Sequence, residues 1–481
     1  MMQRASRRYL IARNPAPPTP QRGEPPHLPS ARATGAARPV PARRKAAKPW
    51  LKFDSDGVFA FIIFAVMLLG SMLFVSNSMI GAVLFAALAL AYTVTRFSQL
   101  GEILASRWLI LVIPIFAFLS TLWSQAPTET IKYSLEFGLT VVVGLLLSAA
   151  PRPKAVLWGM FPAFALYVIA SVGFGQNVDM GTAGQVAFSG LTESKNLLAD
   201  IASTGLLISL ACFVAGIEDR WPVRALLALM VAALHGYVLV EARSAGSLMG
   251  TVVAVGCFVF LLALRPARLS VRVMTTVSAV IGAVFVVLAY GSVLVEDAMT
   301  MFDKDPTLTG RTYLWQRAGD FIADNPLLGK GFSAFWLQGN PDAEGLWAYG
   351  GIQARTGFSF HNTAIEILVH LGWVGLFVFG VTAVISAWLL LRRVMTRPTL
   401  PLCFWFSVIA YDAARLSIES LGTAPFAHPT VLLFTAFGVA YAARRAVPVA
   451  ALSRRPGRPA PARALRPAFS RSAFRPSRFP L

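Results

Sequence analysis

Apolar runs long enough to cross a lipid bilayer recur along most of this chain, and no other feature constrains its fold as tightly. A spanning helix needs roughly 20 predominantly apolar residues. Twelve candidate stretches are present, near 57–76, 79–95, 108–124, 135–150, 155–175, 197–215, 222–240, 245–264, 272–294, 361–391, 399–421 and 426–443. With 56% hydrophobic and 14% charged residues over 481 positions, the chain is too apolar for a soluble protein. The expected fold class is all-α, a polytopic membrane bundle of about twelve helices.

The distribution of charge tests that count. The formal net charge is +20, but 12 of the 43 Lys and Arg lie in residues 1–52 and 10 in residues 444–481. Both tails are rich in Pro, Ala and Arg without an apolar period, so they are expected to be disordered cytoplasmic segments flanking a membrane domain at 53–443. An anionic membrane surface accounts for their charge better than nucleic acid does. Residues 1–52 hold no apolar signal core, so no cleaved signal peptide is expected. With the amino-terminal tail inside, the even-numbered short loops carry Arg96, Arg107, Arg152, Lys154, Arg220, Arg224, Arg265, Arg268, Arg272, Arg392, Arg393 and Arg397. The odd-numbered short loops carry only Lys132, Lys195 and Arg243. That asymmetry obeys the positive-inside rule and places both ends in the cytoplasm. Cys212, Cys257 and Cys403 sit inside apolar runs without metal-like spacing, so they read as packing residues.

One connection stands out. Residues 295–360 form a long outer loop between the ninth and tenth spans, and loops of that length usually carry function. A second outer segment, 176–196, is rich in Gly and polar groups. In the large loop Leu314, Trp315, Ala318, Phe321 and Ile322 recur at helical spacing, which predicts an amphipathic helix over 312–324. Asn325-Pro326 ends it, and Gly329 and Gly331 mark a turn. Arg311, just before the first turn, suits either a phosphate at the helix start or solvent and headgroups.

Arg243, in "VEARSAGSLMG", is either paired with Glu241 or an anion site. Lys195, in "SGLTESKNLLAD", follows a helix start capped by Thr192 or Ser194 and meets either phosphate or headgroups. His361 and Asn362 open the tenth span in "SFHNTAIEILVHLGWVG". At about 100° per residue, Gly372 falls about 20° from His361, Gly375 about 40° to the other side, His370 about 180° and Glu366 about 140° away. The two glycines therefore share the histidine's expected face, which small residues turn towards the bundle. A lone interfacial histidine is also often a headgroup contact.

Taken together, these four fragments resemble the O-antigen ligase and polysaccharide polymerase family of bacterial inner membranes. His361, Asn362, the nine residues that follow, Gly372 and Gly375 fit its histidine motif. "GRTYLWQRAGDFIADNPLLGKGFSAFW" resembles its large periplasmic loop, and "ARSAGSLMG" its arginine-bearing segment. "FSGLTESKNLLAD" resembles a motif of its exopolysaccharide polymerase branch. The resemblance covers roughly residues 185–440.

It implies a helical bundle related to C-type membrane glycosyltransferases, with the large loop in the periplasm. It also implies transfer of a glycan from undecaprenyl diphosphate to an acceptor hydroxyl, without metal, nucleotide or other cofactor. The implied partners are the lipid-linked glycan, an acceptor glycan or lipid A core, and the bilayer, with room for other polysaccharide export proteins and no nucleic acid. Under the resemblance Arg243 and Arg311, with Lys195 as a third cation, hold the diphosphate. His361 serves as general base or as an orienting group. Asn362 orients His361 or binds sugar. Trp315, Trp336, Trp347 and Tyr349 either stack on sugars or form an interfacial belt.

"LTESKN" favours a polymerase over a ligase. A transporter, most plausibly a lipid-linked glycan flippase, is the competing class. Against it stand the position of the large loop after span nine and the lack of a repeat between the halves. Asp412, Arg415 and Glu419 in span eleven keep that class open, and their spacing predicts ion pairs within one helix.

Overall fold

The computed structural model describes residues 54–72, 80–179, 186–301, 311–355 and 358–442, the side chains of 292–301 excepted. The basic tails expected at 1–52 and 444–481 lie outside the described residues. What is described is almost wholly helical, and seven helices are long and apolar enough to cross a membrane. They are α5 (Pro127–Ser148), α6 (Pro153–Phe174), α7 (Lys195–Glu218), α8 (Pro222–Glu241), α9 (Ala245–Ala263), α10 (Leu269–Met301, apolar to Gly291) and α13 (Thr363–Thr396). α2 (Ile80–Thr95) and α3 (Phe97–Ser106) qualify together but bend by 96° at Arg96. The shorter apolar helices α1 (Ser55–Gly70), α4 (Trp108–Leu119), α14 (Leu400–Ala413) and α15 (His428–Ala440) fall on the remaining candidate stretches. The chain is a multi-pass, all-α membrane protein.

Local chemistry sets where these helices begin. Proline occupies the first turn of α5, α6, α8, α14 and α15, where its missing N–H costs nothing. Asp54 caps α1 by accepting from Asp56 N at 3.0 Å. Asp56 is itself buried, accepting from Tyr92 Oη at 3.0 Å and pairing with Arg96 at the α2–α3 bend. α7 is the most enclosed of the seven spans, while the surface of α10 is open to lipid. α1 meets α6 where Gly57 and Gly159 adjoin. A side chain on Gly159 would enter the Gly57 carbonyl, the close approach that small residues permit in membranes.

Three expectations need correction, and one outer segment gains a structure. Residues 97–106, read as loop, are helical, because their apolar residues lie along one face of a short amphipathic turn. The outer segment 176–196 carries an antiparallel hairpin, β1 (Gln176–Asp179) with β2 (Val186–Gly190). Span eleven ends at Ala413 rather than near 421, and Ala414–Ala427 follow as irregular chain. Its charged residues therefore do not form the expected pairs within one helix. Span ten is broken: Gly372 has φ 65° and ψ −168°, a region essentially closed to other residues.

In the large loop α11 (Arg311–Asp324) appears as expected, with Arg311 as its first residue. A further helix, α12 (Pro341–Tyr349), follows it, capped by Asn340. The loop's aromatic residues build a small core of their own around Phe335, Phe360 and Trp347. Trp336 lies between the rings of Phe360 (4.8 Å), Phe358 (5.2 Å) and Trp347 (6.1 Å). Trp336 and the buried Trp347 are thus committed to packing, not to sugar or headgroups. Tyr349 is 54% exposed, its ring 4.2 Å from that of Tyr313.

Candidate functional site

The break at Gly372 is where the large loop joins the bundle. A broken helix leaves carbonyls unpaired on one side and N–H groups on the other, and in a membrane each must find a partner. The segment Pro326–Gly331 supplies both. Lys330 N and Gly331 N donate to the carbonyls of Val369 and His370 at 2.8 and 2.9 Å. The carbonyls of Pro326 and Leu327 accept from Trp373 N and Val374 N at 2.9 and 3.1 Å. A Cβ on Gly372 would strike the Leu327 carbonyl. The loop between α4 and α5 braces the same segment, with Trp123 Nε1 donating to Leu328 O at 2.9 Å and Gln125 N to Lys330 O at 3.0 Å.

His361 therefore sits differently from the wheel reading. It lies outside the helix, with φ +50°, and the break at Gly372 separates it from the phase of Gly375. The expected shared face does not exist. Gly372 admits the loop that carries Arg311, Gly375 leaves room for Leu371 at the break, and His361 is held by other means. Glu366, buried in the first turns of α13, accepts from Phe360 N at 2.8 Å and from Ser420 Oγ at 2.9 Å. Its other oxygen accepts from Trp336 Nε1 at 3.0 Å. The Phe360 carbonyl accepts from Trp315 Nε1 at 2.8 Å. With both backbone groups of Phe360 tied, His361 turns through a left-handed conformation and its ring packs edge-on to Phe358 at 5.7 Å. Asn362 caps α13, its Oδ1 accepting from Ala364 N and Ile365 N at 3.0 and 3.1 Å. Its Nδ2 donates to the Ser417 carbonyl at 3.2 Å. That geometry makes Asn362 a support beside His361.

The irregular chain after α14 completes the site. Glu419 Oε2 lies 3.5 Å from His361 Nδ1, and Glu419 Oε1 lies 3.7 Å from Arg311 Nη2. Arg311 Nη1 also donates to the Ile418 carbonyl at 2.7 Å. One carboxylate thus joins two residues singled out from the sequence. Burial acts to raise the Glu419 pKa, but His361 and Arg311 outweigh it and hold the carboxyl below its ordinary range.

The segments that carry Lys195 and Arg243 adjoin. Ser194 caps α7 by accepting from Asn196 N at 3.3 Å. Ser244 Oγ donates to Asn196 Oδ1 at 3.0 Å, so the segments bearing Lys195 and Arg243 meet side by side. A Cβ on Gly246, early in α9, would lie 2.8 Å from Ile418, the residue whose carbonyl Arg311 grips. Arg243 is exposed, forms no ion pair with Glu241, and has φ +46°. It stands just past the end of α8, where glycine is the usual residue. Arg220 adopts the same conformation after α7, so the strain alone does not mark a site.

The comparisons with known proteins bear on these residues. A family model described as O-antigen ligase matches residues 230–380. The chain is 32% identical to the exopolysaccharide production protein ExoQ of Rhizobium meliloti (strain 1021) over 330 residues, 67% of this chain and 74% of that relative. The chain belongs to the O-antigen ligase and polysaccharide polymerase family. That membership places it among proteins that handle O-antigen and exopolysaccharide glycans.

The part matched by the O-antigen ligase model contains Arg243, Arg311, His361, Asn362, Gly372 and Gly375, and leaves Lys195 and Glu419 outside. Glu419 and Glu366 are the residues that sequence reasoning passed over. Glu419 was visible as a charge in an apolar stretch, but its partners are remote in sequence. Glu366 was set aside by a wheel angle to His361, whereas it acts on the backbone of Phe360.

Proposed function

We propose that this protein transfers a glycan from an undecaprenyl-diphosphate-linked oligosaccharide to an acceptor hydroxyl, at the periplasmic face of the bacterial inner membrane and with both termini in the cytoplasm. We take it to polymerise exopolysaccharide or O-antigen repeat units. The observation that carries the reading is the meeting of Arg311 and His361 at the Glu419 carboxylate, on a turn that also backs onto the start of α9, three residues after Arg243.

The chemistry follows from the bond to be broken. Cleavage of a glycosyl-phosphate bond places developing negative charge on the diphosphate, and guanidinium groups match that charge and geometry. Arg243 and Arg311 take this role, with Lys195 as a third cation. The attacking hydroxyl must lose a proton, and an imidazole is suited to accept it. In this reading the Glu419 carboxylate, 3.5 Å from Nδ1, orients the His361 ring and leaves Nε2 for the acceptor. This is the orienting logic of a base backed by a carboxylate. Asn362 and Glu366 position the histidine from the backbone side.

The likeness to an exopolysaccharide production protein supports the polymerase reading, and the O-antigen ligase description supports transfer to lipid A core. Incubating the purified protein with one defined lipid-linked repeat unit, with and without lipid A core, separates the two. Lengthening of the lipid-linked product without core is expected. Product formed only with core makes the protein a ligase. His361→Ala is expected to lower product at least about 100-fold while membrane insertion stays intact. Wild-type product from a properly inserted variant would contradict the site. A flippase would transfer nothing in this assay.

A further inference from the structure

The end of the bundle opposite His361 carries cations that glycan transfer does not use. Arg107 lies between α3 and α4, Arg393 in the last turn of α13, and Arg397 just past it. All three line one cavity of about 550 Å³. Its other walls mix polar Gln99 and Ser148 with apolar Ile103, Leu402 and Trp405, and among the described residues Glu102 is the only carboxylate lining it.

Basic residues are expected in loops at this end, so their presence alone says little. Two features go further. First, two of the three cations, Arg107 and Arg393, are drawn into the fold. Arg107 is 4% exposed. Its Nε donates to Ser148 Oγ and the Gly438 carbonyl, both at 3.1 Å, and its Nη1 to Ser106 Oγ at 2.8 Å. Arg393 Nη1 donates to the carbonyls of Val439 and, at 2.9 Å, Ala442. Arg397 is exposed but lines the cavity, whereas Arg392, the residue before Arg393, is exposed and lies outside it.

Second, neutral groups hold Arg107 and Arg393. Among the described residues no ion pair joins any of the three to a carboxylate. Burial, and after it the Arg393 charge, push the Arg107 guanidinium below its ordinary value, with Glu102 opposing. Three cations converging against their own repulsion, with one carboxylate nearby, leave an anion-shaped deficit.

Guanidinium forks match phosphate oxygens, and basic pockets between membrane helices take lipid headgroups. A volume of this size holds a small ligand. We propose that this cavity binds a phosphate group, supplied by an anionic phospholipid headgroup or by inorganic phosphate, with Arg393 and Arg397 gripping its oxygens and Arg107 behind them.

Native mass spectrometry of the full-length protein tests this, after release from nanodiscs of equal phosphatidylglycerol and phosphatidylcholine. Phosphatidylglycerol is expected to be retained in excess. Arg397→Ala should cut that excess about fivefold, while the neighbouring Arg392→Ala leaves it unchanged. Repeating the release in millimolar inorganic phosphate identifies the source. An undiminished excess assigns the site to the lipid. Displacement of the lipid, with Arg397-dependent thermal stabilisation by phosphate, assigns it to the free ion. Equal retention of both lipids with no stabilisation by phosphate would overturn the proposal. So would an equal loss in Arg392→Ala, which would mean general surface charge. If the chain's own carboxyl-terminal segment fills the cavity, phosphatidylglycerol is not retained and the proposal also falls.

Discussion

Two ion clusters hang from the same irregular turn after α14, four residues apart in sequence, and they are built to opposite ends. Arg415 points into the bundle and pairs with Asp200 of α7, which also accepts from Tyr411 Oη at 2.8 Å and lies 3.2 Å from His428 Nε2. The side chains of Asp200, Arg415 and His428 are 8%, 3% and 4% exposed. Glu419 points the other way, to Arg311 and His361, whose side chains are 20% and 26% exposed. The inner cluster is closed: its charges answer one another, and nothing from outside reaches them. The outer cluster is open, its distances are longer, and its histidine and arginine face outward from a shared carboxylate. The inner cluster anchors the turn, and the outer one is left adjustable enough to meet a substrate.

That contrast can be broken by substitution. The largest effect on stability is expected from Asp200→Asn, which leaves Arg415 buried without its anion. Removing one partner of a buried pair costs about 3–5 kcal/mol, and thermal unfolding of the purified protein should show a loss of that order. An unchanged unfolding temperature would mean that the inner cluster is not an anchor.

Arg243→Gly should behave in the reverse way. A left-handed arginine costs roughly 1–2 kcal/mol of backbone strain, which glycine relieves while adding freedom to the unfolded chain. Stability should stay level or rise by up to about 1 kcal/mol, while glycan transfer is lost. A variant that loses stability and keeps transfer would make Arg243 structural.

Glu419→Gln should move stability least, by under about 1 kcal/mol, and should do so with a pH signature. A carboxyl held below its ordinary range stabilises the fold above its unfolded pKa of about 4.3. That contribution is lost as pH falls through the folded value. The variant should lack this contribution at neutral pH and converge on the wild type at acid pH, so that its acid limb is flatter.

Much of the architecture was legible in the sequence, because spans announce themselves by length and hydropathy regardless of tertiary context. The amphipathic α11 and its stop at Asn325-Pro326 were legible for the same local reasons. The break at Gly372 was not. A wheel assumes an unbroken helix, and here the partners that satisfy the broken ends come from Pro326–Gly331, remote in sequence. His361 and Arg243 sit at positive φ without being Gly or Asn, so no residue type signalled their turns. The aromatic residues of the large loop looked available for sugar, but the core that occupies Trp336 and Trp347 exists only once α11, α12 and Phe360 are assembled. Arg415 and Glu419 looked like neighbours on one helix, and the early end of α14 at Ala413 sends them in different directions.

The central claim is that Glu419 and His361 act as one unit on the acceptor. A double-mutant cycle of His361→Gln and Glu419→Gln, read as the rate of transfer from a defined lipid-linked repeat unit, tests it most directly. The two losses should be strongly non-additive, the double variant being no slower than the slower single one. A double variant whose loss is the product of the two single losses, or a Glu419→Gln enzyme that transfers at the wild-type rate, would contradict it.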